Sequence, residues 1–218
     1  PFFKTLPLHE YGLEWARPVI CAAHPFDNGT AAALYESVDE TASHLGLDGK
    51  NYKFLMEPVV EALPDLLPSL LSPFPDFTKF LPLARFGLRA LPPSSWTKLL
   101  FQTEKAKGLW AGMAGHAIQP LSNWITSAIG LMLMSAAHVG SWPVPKGGSK
   151  RITDALAAHF LALGGEIQTD FWVKSWKELP KARAVLFDVT PKQLLSIMGD
   201  VLPDNYRRRL ERYRYGMG

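Results

Sequence analysis

The sequence predicts a mixed α+β chain in which helices outnumber strands. Apolar residues recur at helical spacing in most of its segments, as in Ile152, Leu156, Phe160 and Leu163. Short runs without that spacing flank turn residues, notably 18–24 and 30–35 around Asp27-Asn28-Gly29. Eighteen prolines in 218 residues predict short, broken helices.

Taken in order, PVICAAH at 18–24 and TAAALY at 30–35 read as two strands of a hairpin. Asn-Gly between them is a turn signal because both residues tolerate positive φ. Ser37 and Glu40 then have the spacing of a capping box, for a helix ending near Gly46. Asp48 opens a longer helix to about Ala62, and Pro64, Pro68, Pro73 and Pro75 are expected to break up the next stretch. Residues 76–91 regain helical spacing through Phe77, Phe80, Leu81, Leu88 and Leu91, until Pro92-Pro93. Short helices at 94–101 and from Thr103 to Ala114 complete this part.

From Gly108 to Pro145 no Asp, Glu, Lys or Arg occurs. The segment 123–138 within it has three readings: a core helix, the wall of a large apolar pocket, or a membrane span. Pro120, Asn123, Ser127 and Ser135 interrupt it and no basic residue flanks it, which argues for the core helix.

Residues 142–176 then read as turn, helix, turn and β-ribbon. Pro143, Pro145, Gly147 and Gly148 make a tight loop, Ser149 can cap the helix, and Gly164-Gly165 stops it. Residues 182–189 read as one more strand. Pro191 suits the first turn of a helix reaching Asp200, and Pro203 precedes a last helix.

Net charge is +3, and residues 204–218 account for all of it, with five Arg against Asp204 and Glu211. An overall basic field for nucleic acid is therefore absent. The Arg cluster reads as a solvated helix face, with anionic lipid headgroups as the next option. Cys21 is alone, which excludes a disulfide framework and fits a reducing, cytoplasmic setting. The six His lack metal-ligand spacing, so no metal site is expected. No glycine-rich phosphate loop or nucleophile elbow is present. His116, in GMAGHA, is the candidate catalytic residue, set against a reading as a hydrogen-bonded core histidine. Gly147-Gly148 before a helix has the form of an anion-binding N-terminus, and also of an ordinary turn.

In combination, WPVPKGG, SKRITDALAAHFLALGGEI, WVKSW, ARAVLFDVTP and the earlier LWAGMAGHAIQPL resemble the phytoene desaturase-like branch of FAD-dependent oxidoreductases. The resemblance covers most of the chain. It implies a partial FAD/NAD(P)-binding domain at 141–200, a helix-rich substrate or cap region at 1–140, and a return to the cap at 201–218. It implies that Val173 meets the adenine end of FAD through its backbone. Thr190 and Pro191 would lie close to the cofactor, Gly147 and Gly148 would form the helix-start loop, and His116 would fall near the substrate. The implied reaction is hydride transfer from a small hydrophobic substrate to flavin. The family's strand–glycine loop–helix for the pyrophosphate and its C-terminal flavin segment are not among these residues, so the chain is expected to be a fragment whose partners are those missing parts. The rival reading is a non-catalytic lipid- or partner-binding module, membrane-peripheral through its basic tail.

Overall fold

The computed structural model describes residues 2–72, 78 and 80–216, and it is mostly helical with two small antiparallel sheets. The mixed α+β class is thus as the sequence predicts. Two compact units divide the chain, Pro1–His159 and Phe160–Gly218.

In the first unit β1 (Trp15–Ala16) leads to the hairpin of β2 (Ile20–Pro25) and β3 (Ala31–Tyr35). In its turn only Gly29 takes positive φ, at 77°. Asn28 instead accepts from the Thr30 amide and hydroxyl, at 3.0 and 2.7 Å. The Asn side chain thus closes the turn locally, and glycine alone supplies the left-handed residue. Ser37 caps α1 (Val38–His44) by accepting from the Glu40 amide.

The next helix, α2 (Gly49–Leu70), corrects two expectations. It runs past Ala62, and Pro58, Pro64 and Pro68 lie inside it. All three are exposed, so their rings lie on the solvent side of the helix. The opposite face, with Tyr52, Met56, Val59, Leu63 and Leu66, is buried and holds the helix together. Pro73, Pro75 and Phe77 lie outside the described residues.

After α3 (Phe80–Ala90) come α4 (Ser94–Thr97) and one 3-10 turn at Lys98–Leu100. Thr103 caps α5 (Glu104–Gly115) through the Ala106 amide. The uncharged segment forms α6 (Thr126–Gly140), with Leu131, Met134 and Ala137 in the core beside Leu109, Trp110 and Met113 of α5. Gly130 of α6 faces Ala114 of α5, and a Cβ there would meet Ala114 at 3.4 Å, an ordinary contact. The core-helix reading holds, and no helix among the described residues is long and apolar enough to cross a membrane.

The WPVPKGG loop is pinned to the start of the chain. β4 (Val144–Pro145) pairs with β1, Trp15 opposite Pro145, and Lys146 bonds Glu14 through both its amide and its ammonium. Gly147 and Gly148, at φ 84° and 95°, turn the chain into α7 (Lys150–Ala162). Ala155, Ile152 and Leu156 of α7 pack on Leu8 and Leu13. Gly164, at φ 84°, ends the helix as expected, its amide bonding Leu161 and that of Gly165 bonding Phe160.

In the second unit α8 (Pro191–Met198) and α9 (Asp204–Glu211) pack on each other. The β-ribbon expected after Gly165 and the strand expected at 182–189 are absent: residues 166–174 and 180–189 form neither helix nor ladder. A ribbon of two short strands is marginal without a neighbouring sheet or an apolar face beneath it. Here Trp172 and Leu186 point outward, Leu186 being 95% exposed.

Candidate functional site

Two places carry the residues singled out above, one in each unit. In the first, His116 is exposed at the C-cap of α5. It is not the buried histidine of an apolar pocket. The small residues around it do admit a neighbour, but that neighbour is His24 of β2, whose ring lies directly against Gly112. Phe26 lies in the same way against Gly108, one helical turn earlier. Glycines at i and i+4 thus make a flat stripe on α5 that seats two rings of the hairpin. Burial holds His24 below the usual histidine range, and the nearby His116 charge adds to this. Among the described residues, the buried Nε2 atom of His24 has no hydrogen-bond partner. Among the described residues no three His, Cys, Asp or Glu side chains converge as a metal would require.

Two buried polar groups in this unit serve the fold. Asp48 is fully buried and accepts from the Gln102 amide at 2.9 Å and from the Thr103 amide and hydroxyl at 2.7 and 2.6 Å. Burial pushes its carboxyl up, but these hydrogen bonds, with the charge of Lys107, outweigh burial and leave it below the ordinary value. His138 bonds the Tyr52 hydroxyl at 2.6 Å through Nε2 and the Glu36 carbonyl at 2.9 Å through Nδ1. The carbonyl can only accept, so Nδ1 carries the proton and Nε2 accepts from Tyr52. Sequence reading missed both, because the partners lie tens of residues apart.

In the second unit, Val173 lines a cleft of about 270 Å³ with Phe171, Trp172 and Val189. Gln193, Ser196 and Ile197 of α8 form its other wall. Thr190 fixes that helix through a full capping box: its hydroxyl accepts from the Gln193 amide, and the Gln193 carboxamide accepts from the Thr190 amide at 3.0 Å. Pro191 takes the first helical position, where no amide is needed. Val173 thus lines the cleft, while Thr190 and Pro191 do not line it and start the helix of its other wall. Among the described residues no hydrogen bond uses the backbone of Val173. The walls are apolar with two polar side chains, Gln193 and Ser196. Gly147 and Gly148 stand in the first unit, where they make the turn into α7.

Comparison of the chain with protein-family models, with curated proteins and with solved structures finds no match.

Proposed function

We propose that the chain is part of an FAD-dependent oxidoreductase of the phytoene desaturase-like kind, acting on a small hydrophobic substrate. The observation that supports this reading is the cleft of the second unit. Val173, which the resemblance assigns to the adenine, lines it, and Thr190-Pro191 start the helix that forms its other wall. Val173, Val189 and Gln193 would hold the adenine end of the cofactor there. Bound flavin would supply the hydride acceptor. The contribution of these residues is to hold and orient the cofactor's adenine end.

The test uses the full natural protein that contains these residues. Released flavin is measured by absorbance per mole of chain, beside a fluorescence titration of the flavin-depleted protein. Val173→Asp, which places a charge in the apolar cleft, should lower flavin occupancy at least about tenfold. A full-length protein that carries no flavin and does not quench its fluorescence would overturn the reading.

The lipid- or partner-binding reading draws support from α9. Arg207 is engaged by Asp204 and Glu211, but among the described residues Arg208 and Arg209 have no carboxylate partner. Vesicle pelleting that fails on substitution of Arg208 and Arg209 by Ala, in a protein without flavin, would favour it.

A further inference from the structure

The tip of the β2–β3 hairpin holds a chemically reactive pair. Asn28 and Gly29 are both exposed, and a Cβ on Gly29 would meet nothing within 4 Å. Water and hydroxide thus reach this peptide bond, and no side chain on Gly29 shields its nitrogen. Asn28 is one of four Asn in the chain. The other three precede Tyr52, Trp124 and Tyr206, whose bulk crowds the nitrogen that follows each Asn.

The reaction open to such a pair is an intramolecular acyl transfer. The Gly29 amide loses its proton, and its nitrogen attacks Cγ of Asn28. The new N–C bond closes a succinimide ring, the Cγ–Nδ2 bond breaks, and ammonia leaves with the proton. Water then opens the ring at either carbonyl. One opening gives Asp, and the other gives isoAsp, in which the main chain runs through the former side chain. Water is the only co-reactant, and adjacency in the chain supplies the proximity.

The fold sets the rate through two opposing effects. The Gly29 amide donates to the Phe26 carbonyl at 3.0 Å, which holds the proton that must leave. Asn28 Oδ1 accepts from the Thr30 amide and hydroxyl, which polarise the carbonyl under attack as an oxyanion hole does. The first effect decides. Water offers the same carbonyl hydrogen bonds in the open chain, so polarisation adds little, whereas the Phe26 bond must break before any attack.

We infer that Asn28-Gly29 is a site of spontaneous deamidation gated by the hairpin, suppressed in the closed turn and proceeding through local opening of the tip. The two products differ in effect. Asp keeps an oxygen for both Thr30 donors, so the turn survives. IsoAsp lengthens the main chain between Phe26 and Thr30, whose amide and carbonyl close the hairpin at 2.8 Å. The Phe26 ring against Gly108 is then the first packing lost. The site lies outside the flavin cleft and does not depend on flavin binding.

The test incubates the full natural protein at mildly alkaline pH, folded and in urea, and maps peptides by the mass gain of amide to acid. In urea Asn28 should convert before any other Asn. Folded, it should convert at least about tenfold more slowly, by the factor that hydrogen exchange gives for protection of the Gly29 amide. The isolated isoAsp form should melt below the parent protein, while Asn28→Asp should melt with it. Four results would overturn the inference: no conversion at Asn28 in urea, a folded protein that converts as fast as the unfolded chain, a folded rate unrelated to Gly29 exchange, or an isoAsp form that melts with the parent.

Discussion

Replacing Asp48 by Asn tests how the first unit is held together. The carboxylate sits where the 3-10 turn Gly46–Asp48 meets α2, and it accepts three hydrogen bonds from Gln102 and Thr103, at the entry to α5. Asn can turn its carbonyl toward Thr103 and keep those two bonds, without the charge. Its amide then takes the place of the nearer of the two oxygens that share the Gln102 amide, so that donor keeps only the longer contact, at 3.1 Å. The loss of half of that shared bond, and of the charge on all of them, amounts to about 2–4 kcal/mol. For a unit of this size that is a fall of roughly 5–15 °C in melting temperature. The assay is urea and thermal unfolding followed by circular dichroism at neutral pH, then repeated down the acid range. Asp48 has a lowered pKa when folded. Its contribution is therefore complete above the unfolded carboxyl value and is lost as pH falls through the folded one. The gap between native protein and variant should narrow over that same range. A variant within about 0.5 kcal/mol of the native protein, a size ordinary for surface changes, or a gap constant with pH, would refute the reasoning.

The geometry sets three further outcomes. Tyr52→Phe leaves His138 Nε2 buried without its donor and should cost about 1–3 kcal/mol in the same unfolding assay. Burial holds His138 below its usual pKa despite the Glu36 and Tyr35 carbonyls, so stability should decline as pH drops below the unfolded histidine value and level off below the folded one; a flat profile there would count against it. Gly112→Ala forces the His24 ring off α5, and should cost about 1–3 kcal/mol and move the His24 imidazole resonances in NMR. Thr190→Ala removes the side-chain half of the capping box, and should destabilise α8 by about 1 kcal/mol, read as faster amide exchange at residues 192–194.

Much of the fold was legible because its signals are local. Ser37 caps a helix whose amide lies three residues on, as its spacing to Glu40 predicts. Gly29 and Gly164 take the left-handed backbone their positions demand. Such groups meet in any chain that forms the turn, whatever surrounds it. Of the candidate site, Val173 and Thr190-Pro191 were named from resemblance, and the cleft that Val173 lines, with the helix begun by Thr190-Pro191 as its other wall, came from the folded chain. His24 escaped notice, since a lone histidine in a strand carries no spacing to read.

By itself, then, the sequence determined the helix-rich class, the caps, the hairpin and the uncharged core helix. Only the tertiary structure decided the rest. A solvent-facing row of prolines let α2 continue where composition alone predicted breaks. The runs at 166–174 and 182–189, with strand-like composition, formed no ladder, because a strand exists only through the neighbour that bonds it. Asp48 looked like a helix opener and became a clamp on Gln102 and Thr103, 54 and 55 positions away. Its partners, like those of His138 and the rings seated on Gly108 and Gly112, are set by packing over long separations, which no local pattern encodes.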